Sequence, residues 1–338
     1  MPSWNELLAQ RAAPLNATQL ATGFVAPMTD LGLIALDGEE SASFLHKQLT
    51  NDVEHLGQGE ARLAGYCSPK GRLLASFLMW RNEATIFLQL RRDIHAAVQK
   101  RLSMFVLRSK TKLSDATELP ANAVLLGLGG GLGEAALRNW FDALPAKPFA
   151  KLDHPLGTLI RVADVFGAPR YQWLLSADTA QNVVATLAET LNVGNNDAWN
   201  LSEIHAGIPA IAKATQEQFV PQMINLELLG GVNFKKGCYP GQEIVARSQY
   251  LGKLKRRTTL VSIPDATAAA GQEVFATADP EQPCGMIVNA APNGNGGVDA
   301  LVEMKLAAIE AGSVRLGSAQ GTALAFLDMP YALEPLDL

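Results

Sequence analysis

Apolar positions recur with readable periods along most of the chain. LGLIALDG (31–38) reads as a strand that ends in a turn. EESASFLHKQLTNDV follows as an amphipathic helix with Phe44, Leu45 and Leu49 on one face. YCSPKGRLLASFLMW predicts two strands around a Pro69-Lys70-Gly71 turn, and ATIFLQL predicts a third. RDIHAAVQKRLSMF returns to a helical period. Ahead of these, residues 1–27 are Ala-rich, carry Pro14 and Pro27, and read as a loosely held lead-in. A second unit starts near Ala121: AVLLGL is strand-like, GEAALRNWF helical, TLIRVAD and YQWLLSA strands, ADTAQNVVATLAETL a helix. From Thr258 onward, TTLVSI, QEVFAT, GMIVNA, DALVEM and ALAFL are short strands separated by Gly, Pro, Asn and Asp, the spacing of a small all-β barrel or sandwich. NGNGG (293–297) reads as a hairpin loop. Hairpins mixed with helices predict an α+β fold and not a regular βαβ array.

Length and composition fit that picture. A chain of 338 residues has room for two or three domains. With 48% hydrophobic and 18% charged residues it can bury a large core and is not disordered. A net charge of -5 argues against a protein built to coat nucleic acid. The three cysteines, Cys67, Cys238 and Cys284, are far apart and odd in number, which suits a reducing compartment and no disulfide framework. The first residues lack a basic region followed by an apolar one, so no secretory leader is expected. No apolar run nears the ~20 residues of a membrane span. A cytoplasmic location is the expectation.

Most motif-like stretches have plain readings. GLGGGLG (127–133) follows a strand and precedes a helix, yet a GxGxxG register needs glycine where Leu132 stands, so a flexible turn is expected. The five histidines are scattered, no Cys or His pair has ligand spacing, and no resident metal or cluster is expected. The Ser-nucleophile signature GxSxG is absent.

The dense stretch is NFKKGCYPGQEIVARSQYLGKLKRR (233–257). Gly237 and Gly241 bracket Cys238, Tyr239 and Pro240, which implies a sharp turn with Cys238 at its apex. If a helix starts at GQEIVARSQY, its amides together with Lys235 and Lys236 surround the thiol with positive potential and favour the thiolate. Local chemistry leaves two readings open: a nucleophilic or redox thiol, and a buried structural cysteine. The run Lys253, Lys255, Arg256, Arg257 is similarly either a phosphate-binding patch or a solvated turn.

Lys236-Gly237-Cys238-Tyr239-Pro240-Gly241-Gln242-Glu243, followed by Ala246-Arg247, Tyr250, Gly252 and Arg256, closely resembles the K-G-C-Y-x-G-Q-E signature of YgfZ-type folate-binding proteins, relatives of the glycine-cleavage T-protein. Gly207-Ile208-Pro209, Phe219-Val220-Pro221-Gln222, Asn225-Leu226 and Leu229-Gly230-Gly231-Val232 extend the resemblance. So do Phe44-Leu45 and Gln48-Leu49-Thr50-Asn51-Asp52-Val53, and it spans most of residues 30–260. It implies a three-domain, aminomethyltransferase-like ring arrangement around tetrahydrofolate or a one-carbon derivative. The implied division is a discontinuous folate-binding domain (28–115 with 195–255), an inserted α+β domain (116–194) and a C-terminal β-barrel (256–338). It also implies a part in making or repairing iron–sulfur enzymes, including one of tRNA modification, with Cys238 as the functional thiol. Lys236 and Arg247 then tune that thiol or hold an anion. The implied folate contacts are Trp199, Leu31, His205, Tyr239, Gln242, Glu243 and Tyr250, and the folate glutamate tail meets Arg256.

Three positions depart from the superfamily pattern. T-proteins carry adjacent aspartates after the hairpin glycine, where this chain has Ala75-Ser76. Aminomethyl transfer at a folate nitrogen needs a carboxylate for charge stabilisation and proton transfer, so that activity is disfavoured. The glutamate expected before Ala206-Gly207 is His205, which cannot offer a carboxylate to a pterin edge. A tryptophan on the first strand is replaced by Leu31. The expected partners are folate and, transiently, iron–sulfur enzymes, without membrane or nucleic acid, and the expected state is a monomer. The rival readings are a folate-dependent aminomethyltransferase and a docking scaffold without chemistry of its own.

Overall fold

The computed structural model describes residues 3–83, 85–250 and 254–333. Its frame is three sheets. The first is antiparallel, in the order Ala61–Cys67, Leu73–Asn82, Thr85–Arg91, Leu31–Asp37, Lys112–Asp115. Its strands are apolar on both faces because it is covered on both. Trp80 and Met79, neighbours in sequence and so on opposite faces, are 1% and 0% exposed. The second sheet runs Asn192–Val193, Phe24–Pro27, Val124–Gly129, Ala168–Leu175, Gly157–Val165, Lys151–His154, antiparallel except for the first pair. The amphipathic helix Ala177–Thr190 closes it with Val183, Val184 and Leu187 buried.

The third sheet holds the terminal strands Arg256–Ile263, Glu273–Ala276, Gly285–Pro292, Val298–Lys305, Val314–Leu316 and Ala325–Leu327, and curls as an antiparallel half-barrel. Residues 322–324 bond to Val314–Leu316, and Ala325–Leu327 pairs with Arg256–Ile263, so one segment touches both edges of the curl. The mixed α+β class and the terminal β unit agree with expectation. NGNGG is indeed the hairpin loop between Gly285–Pro292 and Val298–Lys305.

Two local expectations fail for identifiable reasons. Residues 1–27 are not a loose lead-in. Helices Trp4–Arg11 and Ala17–Thr22 each begin with a reciprocal capping box, Ser3 with Glu6 and Asn16 with Gln19. Leu8, Leu20 and Phe24 are buried, and Phe24–Pro27 is an interior strand of the second sheet. The S-x-x-E and N-x-x-Q spacings carry the signal for both helices.

The helix expected over EESASFLHKQLTNDV is only Ser41–His46. Beyond it the polar side chains bond to distant backbone instead of continuing the helix. Thr50 Oγ1 donates to Gly231 O at 2.7 Å and accepts from Gly65 N, while Asn51 Nδ2 donates to Leu63 O and Gly230 O. These bonds tie the segment to the lead-up of the KGCYPGQE loop.

GLGGGLG is a strand-to-helix turn, and one of its glycines has a packing duty. A Cβ on Gly127 would stand 2.1 Å from Trp199 Cε3, so the missing side chain is the space the indole fills.

No helix among the described residues is long and apolar enough to cross a membrane.

Candidate functional site

The cavity lies where the three sheets meet. Its walls include Leu31, Phe77, Trp199, Ile208 and Pro209, with Asn289 of the terminal sheet, and its volume is about 170 Å³. Polar groups converge from separate elements. Gln89 of the first sheet donates through Nε2 to Gln172 Oε1 of the second at 2.8 Å, and both side chains are buried on the wall. Asn200 Oδ1 accepts from Arg91 Nη1 at 2.9 Å, and Arg91 also pairs with Asp30 at 2.8 Å.

Besides Arg91, the charged side chain on the wall is Glu203. Its Oε1 accepts from Arg170 Nη1 at 2.8 Å. Arg170 is 0% exposed. It donates through Nε to Ala163 O and through Nη1 to Ser202 Oγ, lies 4.9 Å over the Trp199 ring, and leaves Nη2 without a partner. Among the described residues Glu203 is the only carboxylate lining the cavity.

Trp199 and Leu31 line the cavity, but Trp199 is first of all a core residue. It is 2% exposed, wedged against Gly127, tilted on Phe24 at 6.4 Å and covered by Arg170. His205 turns away from the cavity. Its Nε2 meets Asp299 Oδ2 of the terminal sheet at 2.7 Å, and Phe166 packs on the ring. Burial acts to raise the Asp299 carboxyl, but hydrogen bonds from His205, Asn293 and Ser262 hold it below its ordinary value. Tyr239, Gln242, Glu243 and Tyr250 do not line the cavity either. Glu203 was not singled out from sequence, although it sits one helical turn after Trp199, on the same face of Asn196–His205.

Arg256 is not free for a folate tail. Its guanidinium is held by both Glu303 oxygens and by Cys284 O. Arg257 is 2% exposed and bonded to the equally buried Glu227. These two arginines are structural, and Lys253 of the same run lies outside the described residues.

The KGCYPGQE loop occupies a second place. Cys238 is exposed, while Cys67 and Cys284 are buried. Burial pushes the Cys67 thiol up to about 12. Gly241, at φ +81°, lies against the hairpin turn, and a Cβ there would stand 2.5 Å from Ser68 O and 2.6 Å from Gly71 N. Backbone conformation and contact therefore both demand glycine. Gly241→Ala is expected to lower the unfolding free energy by about 1–3 kcal/mol, read from thermal or denaturant unfolding.

Lys236 folds inward. Its Nζ donates to His46 O and to Leu49 O and lies 4.9 Å over the Tyr239 ring. Burial lowers its pKa to about 8, against the pull of Asp52, Glu54 and Cys238. Arg247 and Glu243 are exposed on the helix Gln242–Tyr250, and Tyr250 packs edge-on against Phe234 at 5.8 Å. Thus Cys238 and Lys236 share the loop, and Arg247 is exposed on the helix that follows it.

The hairpin joins the two places. Its turn, at Gly71, supports the loop, and Ser76 on the following strand lines the cavity. Five extended residues span roughly 16 Å at about 3.3 Å each. Where T-proteins have aspartates, Ala75 is buried, and Ser76 Oγ accepts from Ile211 N at 3.0 Å.

No protein-family model matches the chain. Curated relatives do. The "tRNA-modifying protein YgfZ" of Enterobacter sp. (strain 638) is 33% identical over 231 residues, covering 68% of each chain. The protein of the same name from Yersinia enterocolitica is 33% identical over 256 residues, covering 72% of this chain and 73% of its own. Among solved structures, aminomethyltransferase T of the glycine cleavage system from Bartonella henselae superposes with a TM-score of 0.71 at 16% identity, over 93% of this chain and 88% of that one. That likeness establishes the fold, and the sequence identities agree with the motif around Cys238: the chain is a member of the YgfZ family, built on the aminomethyltransferase fold.

Proposed function

We propose that this protein binds tetrahydrofolate, or a one-carbon derivative of it, in the cavity beside Glu203, and that it serves tRNA modification by maintaining iron–sulfur enzymes. The single observation that carries the folate reading is the Glu203 carboxylate, backed by buried Arg170 on the cavity wall. A pterin presents adjacent N–H donors on one edge of a flat apolar ring. A carboxylate accepts such a pair, and the amides of Gln89, Gln172 and Asn200 supply further donors and acceptors. The residues present fit that group. Glu203 offers what His205, bonded to Asp299, does not.

Bound folate supplies one-carbon chemistry. The chain's own part is to orient the ring and keep water from it. Aminomethyl transfer is not included in this reading, because Ala75 and Ser76 provide no carboxylate. Cys238 is the working thiol, on a loop separate from the cavity wall. The tRNA-modification role follows the name of the YgfZ relatives, and the iron–sulfur role follows the motif resemblance. The clients are iron–sulfur enzymes met transiently, by a monomer.

Titration calorimetry with tetrahydrofolate and 5-formyl-tetrahydrofolate tests the reading. Micromolar binding is expected for the wild type. Glu203→Gln removes a charge-assisted acceptor worth about 1.5–3 kcal/mol, a loss of roughly 10- to 150-fold in affinity. No binding of either folate to the wild type removes the folate reading and leaves the docking scaffold.

A further inference from the structure

Beside the loop stands a histidine that neither the motif nor the cavity accounts for. His46 ends the helix Ser41–His46, and its side chain is 12% exposed. Its Nε2 faces the loop, 3.8 Å from where a side chain at Gly237 would begin. Gly237 has none, so the imidazole is open toward the residue next to Cys238. On the other side of the ring, Nδ1 is 3.1 Å from Asp52 Oδ1, an ion-pair contact without the alignment of a hydrogen bond.

Lys236 holds loop and histidine together by donating to His46 O and Leu49 O, and its charge is felt by Cys238, Asp52 and Glu54. The charged groups facing His46 are Asp52, Glu54 at 4.0 Å, and Lys236, with His55 on the far oxygen of Asp52 at 2.8 Å. Burial works to raise the Asp52 carboxyl. The hydrogen bonds from His55 and the two imidazoles nevertheless hold it below its ordinary value, so a carboxylate faces Nδ1.

An imidazole facing the residue before a thiol, with a carboxylate behind the imidazole, brings together the three group types that activate a nucleophile. Asp52 favours the tautomer with the proton on Nδ1, which leaves the Nε2 lone pair toward the loop. We propose that His46, oriented by Asp52, is the proton acceptor for Cys238. When Cys238 attacks an electrophilic carbon, the Sγ–C bond forms and the leaving group departs with its electron pair. The proton lost by sulfur goes to His46 Nε2, and the resulting imidazolium faces Asp52. This inference rests on the reading of Cys238 as the working thiol. It is independent of folate.

The test is alkylation of the full chain by iodoacetamide at pH 7, without folate, followed at the Cys238 peptide by mass spectrometry. Iodide is then the leaving group. Because Cys67 and Cys284 are buried, the fast phase reports Cys238. His46→Gln and His46→Ala are expected to react at least ~10-fold more slowly, and Asp52→Asn to slow in the same direction by less. Added imidazole is expected to restore His46→Ala toward the wild-type rate, which no purely structural role provides. Wild-type rates in both His46 variants overturn the proposal, and so does a slow His46→Ala that imidazole leaves unchanged. Should the His46 variants fail to fold, an unaltered rate in Asp52→Asn overturns it. A failed folate titration leaves each of these outcomes readable.

Discussion

Arg257→Ala is expected to lower the unfolding free energy by about 3–5 kcal/mol at neutral pH. Arg257 and Glu227 have side chains 2% and 1% exposed. Arg257 Nη1 donates to Glu227 Oε1 and, at 2.9 Å, to Gln222 O. Glu227 Oε2 has no hydrogen-bond partner. Without the guanidinium a buried carboxylate stands uncompensated, which costs more than the intact pair contributes. The pair also fastens the first strand of the terminal sheet to the lead-up of the KGCYPGQE loop, next to the bonds Asn225 Nδ2 to Thr258 O and Thr258 Oγ1 to Met223 O.

The deficit should depend on pH. Burial raises the Glu227 carboxyl even against Arg257, and removing the arginine raises it further. A folded-state acid with a raised pKa holds its proton where the unfolded chain has lost it, so stability falls as pH rises between the two values. Below the ordinary glutamate range near 4.3 both states are protonated and the charge penalty vanishes. The gap between variant and wild type should therefore be widest at pH 7 and shrink toward pH 4. Urea unfolding at both pH values measures it, and a gap that widens on acidification would falsify the assignment.

Trp199→Ala is expected to cost a similar ~3–5 kcal/mol, the range for truncating a large buried aromatic. The ring fills the space left by Gly127, touches Phe24 and lies under Arg170. Its loss enlarges the cavity and frees the guanidinium that fixes Glu203. Folate affinity should fall together with stability, and Glu203→Gln should also cost stability, because it leaves the buried Arg170 guanidinium without its carboxylate. The partner glycine sharpens the test. Gly127→Ala drives a Cβ into the indole and should destabilise the wild type, but in the Trp199→Ala background that methyl enters vacated space. The two substitutions should therefore be strongly non-additive in a double-mutant cycle. Simple additivity would mean that the packing of Trp199 on Gly127 is not what holds the helix Asn196–His205 to the second sheet.

The family is legible in the chain itself because its signal is contiguous. KGCYPGQE is one contiguous stretch, and its glycines permit a sharp turn, with φ +81° at Gly241, that other residues would strain to adopt. The cavity wall is different in kind. Gln89 and Gln172 stand 83 positions apart on strands whose local pattern only says that they are strands. Arg170 reads as an ordinary strand arginine until the fold buries it over the Trp199 ring. The expectation that His205 takes the pterin position followed its place in the motif, but side-chain direction on a helix is set by what packs on it. Here the terminal sheet presents Asp299 to His205 and leaves Glu203, two residues earlier and so on another face, toward the cavity.

The basic run before the terminal sheet shows the same limit. Sequence can count charges, but whether a guanidinium is solvated depends on Glu303 and Glu227, which arrive from other strands and loops.

Local sequence thus determined the α+β class, the terminal β unit, the turn that displays Cys238 and the family to which the chain belongs, since each depends on periodicity or on neighbours along the backbone. Which groups face the cavity, which arginines are consumed in buried pairs and which histidine faces Gly237 of the KGCYPGQE loop were decided by packing, because those partners meet only when loops spanning tens to hundreds of residues close.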